Sequence, residues 1–392
     1  MLTIVGGTYL ELCQEPSWKE LYGSGLRAAA ALAGNVPNIN FHSCVGEDFA
    51  ATAEFSAAAY GFNAVFERIP KTVQFSYHHP LAQPLIYPAS VLVQPKTQLP
   101  TISADTILVY GQVEASVKVV GNYVVYDPQN HIPWGETHST AEHLALVLNR
   151  KEAWLISGLE GESDLPKVGA TLLASERADV VIIKNGSQGA WVVERSGAQL
   201  IPVFKTSSVW SIGSGDIFSA VFAWKWAVER LAASEAAMFA SKYTAQFCQN
   251  KVLPLSAQPL KLEALQPKAF EQLVYLAGPF FTMAERWLIN ELRSKLLEFG
   301  NRVFSPLHDV GEGPPHQVVE PDLAGIRDAD VVLAVATGLD SGTIFEIGFA
   351  RALEKRVVVL AENTTEHDLT MLIGSDCEIT NDFTTAVYQT SW

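Results

Sequence analysis

Two carboxylates stand six positions apart in Asp340-Ser341-Gly342-Thr343-Ile344-Phe345-Glu346, with another upstream in Asp322-Leu323-Ala324-Gly325-Ile326 and a tyrosine opening Tyr275-Leu276-Ala277-Gly278-Pro279-Phe280-Phe281. A carboxylate held against a reacting carbon can stabilise positive charge or form an ester with it, and a second can lend a leaving group its proton. Taken singly, each residue has an ordinary explanation. Thr343-Ile344-Phe345-Glu346 reads as a capping box, Asp340 as a turn residue, Asp322 as a helix N-cap and Tyr275 as a strand aromatic. A second grouping lies earlier. Ile212-Gly213-Ser214-Gly215-Asp216 sets an aspartate behind two glycines at a helix start, where exposed backbone N–H groups favour an anion. Asn149-Arg150-Lys151-Glu152 and Lys184-Asn185-Gly186-Ser187-Gln188-Gly189 precede it. Alone, Asp216 reads as a favourable charge at a helix N-terminus and Gly186 with Gly189 as a hairpin turn.

The elements that must position these groups follow from hydrophobic periodicity. Short Val- and Ile-rich runs alternate with helical stretches, which predicts an α/β sheet covered by helices. Predicted strands in the first part are 2–5, 106–109, 123–126, 153–156, 180–183 and 190–193. Between about 65 and 100, the runs 72–77 and 90–94, parted by His78-His79-Pro80, suggest a small β lid. The helical stretch 217–250 precedes Leu253-Pro254-Leu255-Ser256-Ala257-Gln258-Pro259 and Pro267, which suit a linker. The expected division is a domain over 1–255, a linker over 256–271 and a smaller domain over 272–392. In the smaller domain, strands at 273–276, 302–305, 331–335 and 357–360 alternate with helices at 283–299, 321–328 and from 343. Residues 278–282 then fall at the carboxyl end of a strand, the edge at which open α/β sheets bind ligands.

Composition narrows the field. The 392 residues exceed what one core usually serves, and 48% hydrophobic with 18% charged residues is a globular balance. A formal charge of -15 opposes a nucleic-acid backbone or an anionic membrane. Cys13, Cys44, Cys248 and Cys377 have neither disulfide-framework nor zinc spacing. No apolar stretch approaches the ~18 residues of a membrane span, and the start lacks a basic signal region. A cytoplasmic protein is expected, with neither nucleic-acid polymer nor membrane as partner.

Taken together, the three C-terminal runs resemble the nucleoside 2-deoxyribosyltransferase family, which includes nucleoside and nucleotide N-glycosidases, over about 273–390. The resemblance implies a Rossmann-like (flavodoxin-like) α/β domain with no cofactor. It casts Glu346 as nucleophile, with Asp322 and Asp340 as the other catalytic carboxylates. Tyr275, Gly278, Phe280, Gly342 and Thr343 would contact the substrate. Cleaving a C1′–N bond passes through an oxocarbenium-like state that a carboxylate stabilises, and the base leaves with a proton from Asp322 or Asp340. A nucleotide's phosphate would meet Arg286 or the Ser341-Gly342-Thr343 helix start. The family also places a side-chain amide near the C-terminus, often from a neighbouring subunit, which implies a homo-oligomer. Here Cys377 stands where an asparagine is expected, with Asn381 a little later.

Residues 1 to about 255 resemble the ribokinase-like (PfkB) family of sugar and nucleoside kinases. That resemblance implies a ribokinase-like α/β domain with a small β lid, using ATP and magnesium. Asp216 would take the proton from the substrate hydroxyl, and Gly213, Ser214 and Gly215 would cradle the transferring phosphoryl group. Asn149 and Glu152 would organise magnesium indirectly, with Lys184, Gly186 and Gly189 on the nucleotide side. Tyr126-Asp127-Pro128 suits the strand end before them. Two departures stand out. Arg27, in Tyr22-Gly23-Ser24-Gly25-Leu26-Arg27, occupies the place of a usual asparagine, and Trp210-Ser211-Ile212 replaces a usual Asp-Thr-Thr.

The reading that follows is a bifunctional protein acting on small nucleosides, nucleotides or sugars, one half cleaving or exchanging the base and the other phosphorylating. The alternative, motivated by Arg27 and Trp210, makes the kinase-like half a ligand sensor that controls a nucleotide or NAD N-glycohydrolase. A pure scaffold would require both sets of site residues to be accidental.

Overall fold

The computed structural model describes residues 1–265 and 272–392. They form two compact units that divide within 266–271, with Ser207–Val209 belonging to the second.

The first unit is built on nine strands in the order Gly197–Ile201, Ala190–Glu194, Val180–Lys184, Thr140–Asn149, Val119–Asp127, Ile102–Tyr110, Leu2–Val5, Ile39–Gly46 and Asn63–Ile69. All pairings are parallel except the hairpins that attach Ala190–Glu194 and Gly197–Ile201. Side chains alternate between two cores. Ile4, Leu108, Val125, Val147 and Ile182 face one core, shared with the helices Gly23–Leu32, Ser214–Phe222 and Ala233–Asn250. Val5, Val109, Val124, Tyr126 and Ile183 face the other, shared with the helix Leu165–Ser175. The chain runs outward from Leu2–Val5 in one direction and then returns to build from Ile102–Tyr110 in the other. That reversal creates a crevice at the carboxyl edge. The strands Trp18–Leu21, Leu10–Cys13, Gln74–Tyr77 and Leu85–Tyr87 make the small lid sheet.

In the first unit three expected elements differ. Residues 153–156 lie in the helix Arg150–Ser157, because Asn149 and Glu152 close a capping box that starts it; the strand is the preceding Thr140–Asn149. The run 90–94 is not a lid strand. Ala89–Leu92 is a one-turn 3-10 helix with no buried residue, so no apolar face holds it in a sheet. The stretch 217–250 is interrupted: Ser214–Phe222 passes into a π-helical turn, Ala223–Val228, before Ala233–Asn250 begins.

Part of the expected linker is bound to the first unit. Tyr243 donates to the carbonyls of Ser256 and Ala257, Lys205 N–H to Glu263, and Leu265 N–H to Val203. The remainder, 266–271 with Pro267, lies outside the described residues. No helix among the described residues is long and apolar enough to cross a membrane.

The second unit has five parallel strands in the order Arg302–Phe304, Leu273–Ala277, Val331–Val335, Arg356–Leu360 and Glu378–Thr380. Counted along the unit this is 2-1-3-4-5, the flavodoxin-like arrangement, with its switch point between Leu273–Ala277 and Val331–Val335. The helix Pro315–Asp328 begins well before 321, so Asp322 lies inside it and is not its N-cap.

Gly25 lies where the helix Gly23–Leu32 meets the end of the first strand. A Cβ there would stand 2.8 Å from Gly6 Cα and 2.6 Å from the Phe41 ring, and the Gly6 contact is backbone that cannot rotate away. Gly25→Ala is expected to lower the stability of the first unit by about 1–3 kcal/mol, read as a lower urea midpoint. An unchanged midpoint would mean the helix can retreat from the strand at no cost.

Candidate functional site

At the switch point of the second unit, Tyr275 is fully buried within its strand and stacks on Phe304, ring centres 5.5 Å apart. Its hydroxyl donates to Glu346 Oε1 at 2.6 Å. Glu346 projects from the helix Ser341–Ala352, whose N-cap is Asp340: Oδ2 accepts from Thr343 N at 2.9 Å and from Thr343 Oγ1 at 3.2 Å. The capping-box reading of Thr343 and Glu346 is thereby corrected. Thr343 is the residue being capped, and Glu346 is spared for Tyr275. Burial pushes the Glu346 carboxyl up to about 7; the Tyr275 hydrogen bond pulls it down, while the charges of Asp322 and Asp340 raise it. Burial also raises Asp322, whose Oδ1 is buried with no hydrogen-bond partner among the described residues. Tyr275 is held far above the usual phenol value by burial, then by Glu346 and Asp322.

The surrounding residues divide by what they touch. A Cβ on Gly278 would meet Ile289 at 2.6 Å and Val335 at 3.0 Å, so this glycine lets the turn close on helix and strand. Gly342 is exposed beside Asp340. Phe280 stacks on Phe281, and its carbonyl accepts from Arg286 Nε at 2.8 Å. Arg286 is also paired with Glu312 at 2.6 Å. Cys377 lies 3.7 Å from Ser375 Oγ, and Asn381 is exposed. Phe304 had no signal in the sequence as the stacking partner of Tyr275.

In the first unit, Gly213 at φ 78° starts the helix Ser214–Phe222, and Asp216 sits in its first turn. Asp216 Oδ1 accepts from Gln129 Nε2 at 2.8 Å, and Oδ2 lies 3.5 Å from Arg27 Nε. Arg27, 1% exposed, is paired on its other side with Glu11 and stacks over the Tyr22 ring at 5.0 Å. Burial works against the Arg27 charge, but Glu11 and Asp216 hold it protonated. The guanidinium is packed so tightly on Gly213 that a Cβ there would lie 1.8 Å from Nε. Burial pushes Asp216 up to about 7, against the pull of Arg27. The sequence marked Arg27 as a departure and carried no signal for Glu11 as its partner.

Asn149 and Glu152 bind each other's backbone N–H groups, and burial with the Asp127 charge pushes Glu152 up to about 7. Lys184 Nζ lies 2.9 Å from Asp127 Oδ2, which Ser219 also meets at 2.6 Å. Asp127 Oδ1 is buried with no hydrogen-bond partner among the described residues. Gly186 and Gly189 lie in the connection of an antiparallel hairpin, at φ 55° and 90°. Trp210 is buried against Trp18 and serves the core. The helix start with Lys184 fits a phosphate, and the orphaned Asp127 oxygen fits a hydrated divalent cation. Among the described residues no group of three or more His, Cys, Asp or Glu could hold a metal directly.

The two units are therefore a doubly wound, ribokinase-like α/β body with a β lid and a flavodoxin-like body with a carboxylate cluster at its switch point. Residues 119–255 match the family model described as pfkB family carbohydrate kinase, and residues 274–383 match that of nucleoside 2-deoxyribosyltransferase. The chain joins a PfkB carbohydrate kinase domain to a nucleoside 2-deoxyribosyltransferase domain. Similar solved structures include the nucleoside kinase of Methanocaldococcus jannaschii, at 18% identity and TM-score 0.49 over 65% of this chain and 95% of that one. Ribokinase from Thermotoga maritima is 16% identical at TM-score 0.46, covering 65% and 96%. Fructokinase from Vibrio cholerae is 15% identical at TM-score 0.47, covering 64% and 93%. No curated protein matches the chain.

Glu346 links this site to stability. Its folded pKa of about 7 lies above the unfolded value of roughly 4.3. Between the two, the native state holds the extra proton, so this group's contribution falls as pH rises through that window. Glu346→Gln should therefore raise the unfolding midpoint of the second unit more at about pH 8 than at about pH 5, measured by thermal melting. An equal change at both would place the Glu346 carboxylate in water.

Proposed function

We propose that the second unit cleaves or transfers the C1′–N bond of a nucleoside, deoxynucleoside or nucleotide, with Glu346 as nucleophile. The supporting observation is the Tyr275–Glu346 hydrogen bond at the switch point, with Asp322, whose Oδ1 has no hydrogen-bond partner among the described residues, in the same electrostatic neighbourhood. Tyr275 fixes one carboxylate oxygen and leaves the other to meet C1′ as the bond to the base breaks. Asp322, whose carboxyl burial raises, gives its proton to the departing nitrogen. The C1′–O ester then yields to water or to a second base, and Asp322 takes the proton back. Asp340 acts through the helix start, holding Thr343 and adding negative charge beside Glu346.

Base release from a deoxynucleoside panel, followed by chromatography, tests this. Glu346→Ala should lose about 10³-fold or more and Asp322→Asn about 10²-fold. Tyr275→Phe removes a donor that stabilises the carboxylate, so the rising limb of the pH–rate profile should move to higher pH. Wild-type rates in Glu346→Ala would sink the proposal.

For the first unit, a kinase reading would have Asp216 take a hydroxyl proton while Gly213, Ser214, Gly215 and Lys184 hold phosphate. Asp127 and Glu152 would hold the waters of magnesium. ATP, when bound with magnesium, would supply the phosphoryl group. Arg27 favours a second reading, because a substrate hydroxyl would have to displace the guanidinium from Asp216 and Gly213. We infer that this unit binds a phosphate-bearing ligand without transferring phosphate and regulates the glycosidic site. Incubation with ATP, magnesium and a sugar and nucleoside panel should give no phosphorylated product by mass spectrometry. A product lost in Asp216→Asn would restore the kinase. A homo-oligomer and a cytoplasmic setting belong to the same proposal, the former because this family completes its sites across subunits.

A further inference from the structure

The strands Ile102–Tyr110, Val119–Asp127 and Thr140–Asn149 are parallel neighbours, joined by residues 111–118 and 128–139. Parallel strands ordinarily return through a crossover of roughly a dozen or more residues that includes a helix and covers the sheet face. Neither connection here contains an α-helix. The first returns with Ala115–Ser116 paired to Thr97–Gln98, and the second holds only the 3-10 turn Trp134–Thr137. Between them lies a cavity of about 440 Å³, within the range of small-molecule sites.

Its walls differ in chemistry. Tyr126 and Trp134 form an aromatic side, ring centres 5.5 Å apart and tilted by 54°. Gln112, 2% exposed, lines the cavity with Oε1 lacking a hydrogen-bond partner among the described residues. A buried amide oxygen in that state calls for a donor. Lys96 Nζ donates to the Gln112 carbonyl at 2.6 Å and retains further protons, while Lys118 lines the exposed rim. Burial holds the Lys96 ammonium below its usual value, with Glu114 opposing. Two lysines and one carboxylate, Glu136, line the cavity, with Glu114 acting on Lys96 from outside the lining, in a chain of net charge -15.

We infer that this cavity binds a small molecule joining a planar ring to an anionic group, a nucleoside monophosphate by chemistry, with its ring against Trp134 and Tyr126, a donor on Gln112 and its phosphate at Lys96. The site is separate from the Asp216 cluster, since Glu11, Arg27 and Asp216 do not line it. It is also adjacent. Tyr110 lines the cavity and donates its hydroxyl to the Asp216 carbonyl at 2.8 Å, while Asn130 binds the Gln112 carbonyl next to Gln129, the partner of the Asp216 carboxylate. The inference stands whether or not Asp216 acts as a base.

Calorimetry on the full chain carrying Glu346→Ala, which prevents turnover at the glycosidic site, tests this with adenosine and uridine 5′-monophosphates, adenosine and inorganic phosphate as probes. At least one monophosphate is expected to show a binding event that weakens tenfold or more on adding Lys96→Met. Lys118→Glu, a surface change that preserves folding, should weaken the same event, with melting curves verifying both variants. Adenosine binding as tightly as its monophosphate would overturn the role of Lys96. No monophosphate binding, or binding that both lysine variants leave intact, would overturn the site.

Discussion

A carboxyl group withdrawn from water at the carboxyl end of a parallel sheet resists ionising unless a hydrogen bond or a cation stabilises its charge. Both units are arranged around that requirement and meet it differently. Glu346 receives one neutral donor, Tyr275, and remains near neutrality in its titration. Asp216 receives Gln129 and the permanent cation of Arg27, itself shared with Glu11. A carboxylate with a neutral donor keeps a lone pair for chemistry. One that faces a buried guanidinium, itself packed on Gly213, is committed to structure first. That contrast underlies assigning bond cleavage to the second unit and ligand binding to the first.

The sheets supply the geometry. In the second unit the order 2-1-3-4-5 parts the chain between Leu273–Ala277 and Val331–Val335, and Tyr275, Glu346, Asp322 and Asp340 are electrostatically coupled there. In the first unit the equivalent reversal lies between Leu2–Val5 and Ile102–Tyr110. There Tyr110 reaches from the strand end to the helix that holds Asp216. The same strand end opens into the cavity between the two helix-free crossovers, so one edge serves two sites.

Much of this was legible in the residues. Runs such as 331–335 and 180–183 are continuous β-branched and apolar stretches buried on both faces, a pattern with few competing readings. The carboxylates of the second unit were legible because three weak motifs coincided. The failures were tertiary. Asp340 and Thr343 can each cap a helix, and the choice fell to Asp340 because Thr343 is 2% exposed and faces inward. Residues 153–156 are apolar enough for a strand, but the Asn149–Glu152 box fixed a helix there first. The ion pair of Arg27 joins Glu11 and Asp216 across wide separations in the chain, which no local pattern encodes.

The central claim is that Glu346 attacks C1′. Its most direct test is to incubate the protein with a nucleoside whose sugar carries fluorine at C2′, which slows release of the sugar from the enzyme, and to locate the adduct by peptide mass spectrometry. A sugar ester on Glu346 in the wild type, absent in Glu346→Ala, is the predicted result. Release of base with the sugar attached to a different residue would contradict it.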